Sequence, residues 1–329
     1  MKILVTGGAG YVGSHAVRHL RKAGHQVWIY DNLSQGNPPA VLDTPLFQGN
    51  LSDTTRLVNL LRELRIDAVM HFAAFALVGE SVTNPSMYYE NNVVGSLRLL
   101  QAMQEADVRK IVFSSTTATY GEPEKSPIAE TTPQKPINPY GVSKLMVEQI
   151  LDDFARAYGF GFAALRYFNA AGASADGLIG EDHRPESHLI PIVLQVALGQ
   201  REKVTIFGND YPTPDGTCIR DYIHVDDLAE AHLRALDRLQ PGQGLKMNLG
   251  SGVGFSVQQV IEMCRQVSGH PIPAVIGARR PGDPPALVAD SSLAQRTLDW
   301  KCHHSDLKTI VASAWNWHRT HPQGFATKG

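Results

Sequence analysis

The chain has 329 residues, enough for about two domains and a sizeable core, and its 43% hydrophobic content is ordinary for a globular protein. A formal net charge of −2 gives no electrostatic reason to expect nucleic acid or an anionic membrane as a partner. Three widely spaced cysteines, Cys218, Cys264 and Cys302, suggest neither a disulfide framework nor a zinc site.

Met1–Thr6 (MKILVT) reads as a short buried strand, too short for a secretory signal and running straight into glycines. No later run approaches the length of a membrane span, so the cytoplasm is the expected compartment. Glycines follow at 7, 10 and 13. A helix then carries Val12, Ala16, Leu20 and Ala23 at helical spacing, with Gly24 placed as its C′ residue. Gln26–Tyr30 is a second strand, ended by Asp31. Such glycines let the backbone approach a pyrophosphate, and free N–H groups at the helix start bind its charge. Asp31, about twenty residues on, can accept hydrogen bonds from an adenosine ribose and would repel a 2′-phosphate. The stretch predicts a dinucleotide site that favours NAD over NADP.

Ile66–Phe72, Arg109–Ser115 and Gly161–Tyr167 read as further buried strands, alternating with helical stretches near Asp53–Leu64, Pro85–Ala106 and Pro139–Tyr158. This alternation predicts an α/β fold, a doubly wound parallel sheet of Rossmann type with helices on both faces. Ligands would then bind beyond the carboxyl ends of the strands. After about residue 170 glycine, proline and charge accumulate. Two helices stand out there, Val257–Ser268, with Ser256 and Gln259 spaced as a capping box, and about Leu307–Thr320. The expected division is an NAD-binding domain over 1–170 and a smaller, loop-rich substrate domain over 171–329, the part that the resemblance given below makes mainly UDP-sugar-binding. The segment from about 220 to 250 is free to return to the first.

Asn138 suits an N-cap and Pro139 the first helical position, so Tyr140 and Lys144, four apart, share one helical face. An ammonium beside a phenol favours the phenolate and lowers its pKa. Phe113–Thr117 (FSSTT) ends a strand and offers hydroxyls to a substrate oxygen, although such clusters also cap local backbone.

GGAGYVG, FSSTTATYGEP, NPYGVSK, LRYFNAAG and DGTCIRDYIHVDDLA together resemble the extended short-chain dehydrogenase/reductase family, and within it the UDP-sugar 4-epimerases, over essentially the whole chain. The resemblance implies an NAD-dependent 4-epimerase that interconverts UDP-galactose and UDP-glucose through a transient 4-keto sugar. Tyr140 would be the base, Lys144 its partner and Thr116 the active-site hydroxyl. Gly7, Gly10, Tyr11, Val12, Gly13, Asp31, Asn32, Asn50, Leu51, Phe72, Ala73, Asn91 and Phe168, with Tyr140 and Lys144, match cofactor-contacting positions. Thr116, Asn169, His188, Leu189, Thr205, Ile206, Phe207, Arg220, Tyr222, Arg280, Asp283 and Leu287 match the UDP-sugar site. Arg220 and Arg280 also make sense chemically, since guanidinium forks suit a diphosphate.

Several positions depart from the family pattern. Asn50 stands where relatives often have Asp, Ala76 replaces a lysine, and His188 replaces an Asn, a neutral imidazole being able to donate as Asn does. Leu287 falls at the family's gatekeeper, intermediate between the Tyr that excludes 2-acetamido sugars and the small residues that admit them. It leaves weaker activity on UDP-GlcNAc and UDP-GalNAc open. His183 and His188 have no ligand spacing of a known type, and no metal is expected. Cys302-His303-His304 reads as a solvated polar linker. The helices around Pro85–Ala106 and Tyr140 have apolar residues on more than one face, and relatives dimerise through them, so a homodimer is expected. Two rivals remain: another nucleotide-sugar enzyme of this family, or an NAD-binding sensor without catalysis. A 4,6-dehydratase would carry an acidic pair where this chain has Ala118-Thr119, and sensors lose the Tyr or the Lys that it keeps.

Overall fold

The computed structural model describes residues 1–280 and 282–325. Strands are β1 (Lys2–Thr6), β2 (Gln26–Asp31), β3 (Leu46–Gln48), β4 (Ala68–His71), β5 (Lys110–Thr116), β6 (Gly161–Tyr167), β7 (Asn169–Ala171), β8 (Val204–Phe207), β9 (Ile219–His224), β10 (Gly244–Leu249), β11 (Gly254–Ser256), β12 (Ala274–Gly277) and β13 (Ala286–Leu287). Helices are α1 (Tyr11–Lys22), α2 (Thr54–Leu64), α3 (Val78–Thr83), α4 (Pro85–Tyr88), α5 (Gly95–Glu105), α6 (Pro139–Tyr158), α7 (Leu189–Ala197), α8 (Val225–Asp237), α9 (Val257–Ser268), α10 (Ser292–Leu298) and α11 (Leu307–Thr320).

Strands β10-β6-β5-β4-β1-β2-β3 form one parallel sheet of seven strands. The period-2 pleat sorts their apolar residues between two cores. Leu4, Val69, Ile111, Phe113 and Phe162 face α2, α5 and α6, while Ile3, Val5, Met70, Val112 and Ala163 face α1, α8 and α10. Burial on both faces explains why these strands read as unbroken apolar runs. The strand order reverses between β1 and β4, and a crevice opens there beyond the carboxyl ends.

A third core joins α7, α9 and α11 to β8 and Tyr222. Strand β9 organises this part: β7 and β13 lie parallel to it and β11 antiparallel, while β8 and β12 form a separate ribbon. Helix α8 returns to pack on α1, and β10 adds the seventh strand of the large sheet beside β6. Ser256 and Gln259 form the predicted capping box, and Gly24 takes φ +84 just past α1.

Several elements differ from the sequence reading. Beyond the two expected helices, the second half contains α7, α8 and α10. The expected helix over 85–106 is α4 and α5 joined by a π-helical turn, Tyr89–Val94. Side-chain demands in that turn override helical spacing. Asn92 donates to the Phe75 carbonyl (3.0 Å) and to Ser143 Oγ (3.1 Å), and accepts from the Phe75 N–H (2.9 Å). Among the described residues, no helix is long and apolar enough to cross a membrane.

Candidate active site

The glycine turn after β1 is built by close approach. Gly7 has φ +74, and a Cβ there would lie 2.4 Å from the Ala73 nitrogen; one at Gly13 would lie 2.2 Å from the Gly7 carbonyl oxygen. The Gly7 N–H is held by the Tyr30 carbonyl (3.0 Å), and Phe72 and Ala73 both donate to the Thr6 carbonyl. Gly10, on the wall of the crevice, is the N-cap residue of α1 and offers no side-chain cap, so the first N–H groups of the helix are left free as an anion site. Asp31 closes β2 with one carboxylate oxygen accepting from Ala9 N (3.0 Å) and the other from Leu33 N (2.8 Å). Burial raises its pKa against these two hydrogen bonds.

Gly7, Gly10, Asp31, Asn32, Leu51, Phe72, Ala73 and Asn91 line one cleft. Tyr11 is directed elsewhere, donating to the Gly172 carbonyl (2.7 Å), and Asn50 spends its side chain accepting from Ser52 N (3.0 Å). Val12, Gly13 and Phe168 do not line this cleft, although Gly13 shapes its floor. Sequence reasoning passed over Ser34, Gln35, Gly36 and Gly49 on the same walls. Two of them are glycines held by close approach, visible only in the structure: a Cβ at Gly36 would sit 2.9 Å from an Asp31 oxygen, and one at Gly49 2.3 Å from the Tyr30 hydroxyl.

Asn138 caps α6 by accepting from Gly141 N (2.9 Å), with Pro139 in the first turn. Gly141 lets α6 meet the turn after β5, because a Cβ there would lie 2.5 Å from the Ala118 carbonyl oxygen. That approach sets Tyr140 beside Thr116, which ends β5 and caps the turn through Ala118 N (3.2 Å). Lys144 is buried and donates to the Ser114 carbonyl (2.8 Å), its Nζ 6.0 Å from the Tyr140 ring centre.

The electrostatics here differ from the sequence reading. In the protein alone, burial pushes the Tyr140 hydroxyl well above the usual phenol range, and the Tyr167 side chain adds to this against the Thr116 hydroxyl. Burial also pulls Lys144 down to about 7, opposed by the Glu148 carboxylate. The lysine is turned toward a backbone carbonyl, so the buried phenol gains little from it.

The predicted UDP-sugar residues divide between places: Asn169, Arg220, Tyr222, Asp283 and Leu287 lie around β9, Thr205, Ile206, Phe207 and Arg280 on or beside β8, and His188 and Leu189 at the start of α7. Register places Arg220 opposite Leu287 and Tyr222 opposite Asn169. Arg220 forms an ion pair with Asp283 and donates to the Pro284 carbonyl (2.9 Å), and Asn169 donates to the Asp221 carbonyl (2.8 Å). The Arg280 guanidinium stacks 3.9 Å over the Phe207 ring, next to Thr205 and the buried Ile206 on β8. Leu287 packs with Tyr120, Ile128 and Phe168, which ties it to the segment after Thr116. His188 is the N-cap residue of α7, just before Leu189. It is not the neutral donor expected: burial opposes its charge, but the adjoining Glu181 carboxylate raises it to about 9.

The profile of the NAD dependent epimerase/dehydratase family matches residues 3–250. The chain is 57% identical to the UDP-glucose 4-epimerase of Halalkalibacterium halodurans, over 100% of this chain and 98% of that one. It is similar to a crystal structure of a UDP-glucose 4-epimerase with a TM-score of 0.97 and 50% identity, covering 99% of this chain and 100% of that chain. A Bifidobacterium longum UDP-glucose 4-epimerase, solved with NAD+ and UDP, gives a TM-score of 0.94 at 40% identity, covering 99% of this chain and 100% of that one.

Beneath Tyr140 and Lys144, one helical turn further along α6, lies Glu148. It accepts from Ser115 Oγ (2.6 Å) and pairs with Arg166 on β6 (2.6 Å); both partners are almost fully buried. Arg166 in turn donates to the Tyr120 hydroxyl (2.9 Å), which donates to Asn248 (2.7 Å). The network fixes α6 to the ends of β5, β6 and β10. Removing one partner leaves a buried charge uncompensated, so Glu148→Ala is expected to destabilise the fold by roughly 3–5 kcal/mol. Urea unfolding of the purified variant checks this, and a loss below about 1 kcal/mol, the range of an exposed pair, would refute it.

Proposed function

Because the chain belongs to the NAD dependent epimerase/dehydratase family, we propose that it is an NAD-dependent isomerase that inverts C4 of UDP-glucose to give UDP-galactose, and the reverse. The observation that carries this reading is the meeting of Tyr140, Lys144 and Thr116 where α6 packs on the end of β5. The crevice fits NAD: uncapped helical N–H groups suit its pyrophosphate, and the Asp31 carboxylate at the end of β2 suits its adenosine ribose. Bound NAD supplies a cationic nicotinamide and reversible hydride transfer at the sugar C4, so that a 4-keto sugar forms and is reduced on its other face.

Tyr140 removes the proton from the 4-hydroxyl and later returns it, with Thr116 holding the same oxygen. Lys144 orients the ribose next to the nicotinamide. Arg220 and Arg280 take the diphosphate, exchanging Asp283 and the Phe207 ring for phosphate oxygens. The UDP handle stays anchored while the sugar turns, so remote binding energy serves the reacting centre. The reading places the enzyme in the cytoplasm, in keeping with three free cysteines.

Tyr140→Phe is expected to lower turnover by about 10²–10⁴-fold while UDP binding persists. The assay incubates purified protein with UDP-galactose and no added NAD, then separates the nucleotide sugars. No UDP-glucose from the wild-type chain, even with NAD added, would overturn the reading. Leu287 sets the second expectation: UDP-N-acetylgalactosamine is turned over more weakly than UDP-galactose, and Leu287→Tyr depresses the acetamido substrate selectively, by about tenfold or more. Equal effects on both substrates would remove the gatekeeper role.

The reading includes a homodimer. Met146 is 40% exposed on α6, beside the half-buried Val142 and Leu145, and Val93 and Leu97 are half-buried on the neighbouring helical segment. Light scattering during size exclusion should give twice the chain mass; a single-chain mass at micromolar concentration would contradict this.

A further inference from the structure

The loop before α7 concentrates metal-ligating groups, of which only His188 matches a UDP-sugar position. One donor atom from each of Glu181, His183, Glu186 and His188 lies within 4.8 Å of the others. His183 Nδ1 is 3.2 Å from Glu181 Oε1 and 3.9 Å from Glu186 Oε2, and His188 Nδ1 contacts the same Glu181 oxygen. The two imidazoles stand edge-on, with centres 5.3 Å apart and planes at 85°. Zinc bonds of about 2.0–2.1 Å in a tetrahedron put neighbouring donors about 3.3 Å apart, so small side-chain rotations suffice.

Burial supplies an independent reason for a cation. The Glu181 and Glu186 side chains are each only 4% exposed, and among the described residues no lysine or arginine pairs with either. Two adjacent buried carboxylates need positive charge. Without an ion the two imidazoles pair with Glu181; a divalent ion would displace their protons on binding and balance both carboxylates. The site is also oriented from outside: Glu186 Oε1 accepts from Ser187 N (2.7 Å) and His188 N (2.8 Å), which leaves Oε2 facing His183. The Glu181 carbonyl is held by Trp317 Nε1 (3.2 Å).

We propose that Glu181, His183, Glu186 and His188 bind one divalent transition-metal ion, zinc being the best match, between the first turn of α1 and the start of α7. Mixed imidazole and carboxylate donors suit zinc, whereas magnesium and calcium take shells of oxygen. The ion is structural. The His183 ring packs edge-on against Tyr11 of α1 (6.1 Å between centres), and His188 is the N-cap of α7. The metal therefore ties the loop to both helices and fixes the position of Leu189.

The test uses the full-length protein with its NAD, treated with a chelator, dialysed and titrated with zinc chloride by calorimetry. One ion per chain with a Kd below about 1 µM is expected, together with a rise in Tm that magnesium chloride does not reproduce. Loss of a mere supporting partner costs about 10–100-fold in metal affinity, so His183→Ala should weaken zinc binding by more than about a hundredfold. Glu186→Gln provides a second variant should His183→Ala misfold, which circular dichroism and retained NAD would reveal. His303→Ala, beside Cys302, should bind as the wild type does. Absence of binding overturns the proposal. So does binding unchanged in both loop variants, or binding abolished only by His303→Ala.

Discussion

The working parts of the cleft exist because backbone meets backbone where a side chain would not fit. Gly13 against the Gly7 carbonyl, Gly7 against Ala73 and Gly141 against Ala118 leave 2.2–2.5 Å for an added Cβ, far inside contact distance. The first two contacts bring the start of α1 to the reversal point of the sheet. The third brings α6 down on the end of β5. A parallel sheet presents all its carboxyl ends on one side. The first two approaches shape the glycine-lined crevice at that shared edge, and the third sets Tyr140 beside Thr116 on the same edge.

The charges around that crevice are poised for a ligand. Tyr140 and Lys144 are both buried, and burial favours the uncharged form of each, with Lys144 pulled to about 7. The arginines of the other half are occupied too, Arg220 by Asp283 and Arg280 by the Phe207 ring. A cationic nicotinamide and an anionic diphosphate would change both settings: the first favours the phenolate, and the second competes for the guanidinium groups. Cofactor and substrate thus complete an electrostatic arrangement that the polypeptide leaves half-made.

Much of this is legible in the amino-acid sequence. Gly161–Tyr167 and Pro139–Tyr158 coincide with their elements because an unbroken apolar run and an Asn-Pro start are strong local signals. Motif positions point to Arg220 and Leu287, which pair across β9 and β13, and to Arg280, which stacks on Phe207 of β8. What was missed depends on distant partners. Strand β3 has three residues and no pattern of its own, and β10 is recognisable only by its pairing with β6. Helix α7 (LIPIVLQVA) is apolar almost all round, so it has no period to read. His188 took its charge from Glu181, and the pKa of Tyr140 followed burial more than its lysine neighbour. Neither effect is visible in spacing along the chain.

The π-helical turn over Tyr89–Val94 acts as a phase shifter. In an α-helix each residue advances the face by about 100°, and the wider turn resets that angle between α4 and α5. Asn91 can therefore line the cofactor cleft while Asn92, its neighbour, reaches Phe75 and Ser143. Beyond the turn, Leu99, Leu100 and Met103 still point into the core against α2. The segment is thus tuned in residue count as well as residue type. A lineage could exchange many of its side chains freely, yet gaining or losing one position would put the cleft wall and the core out of step.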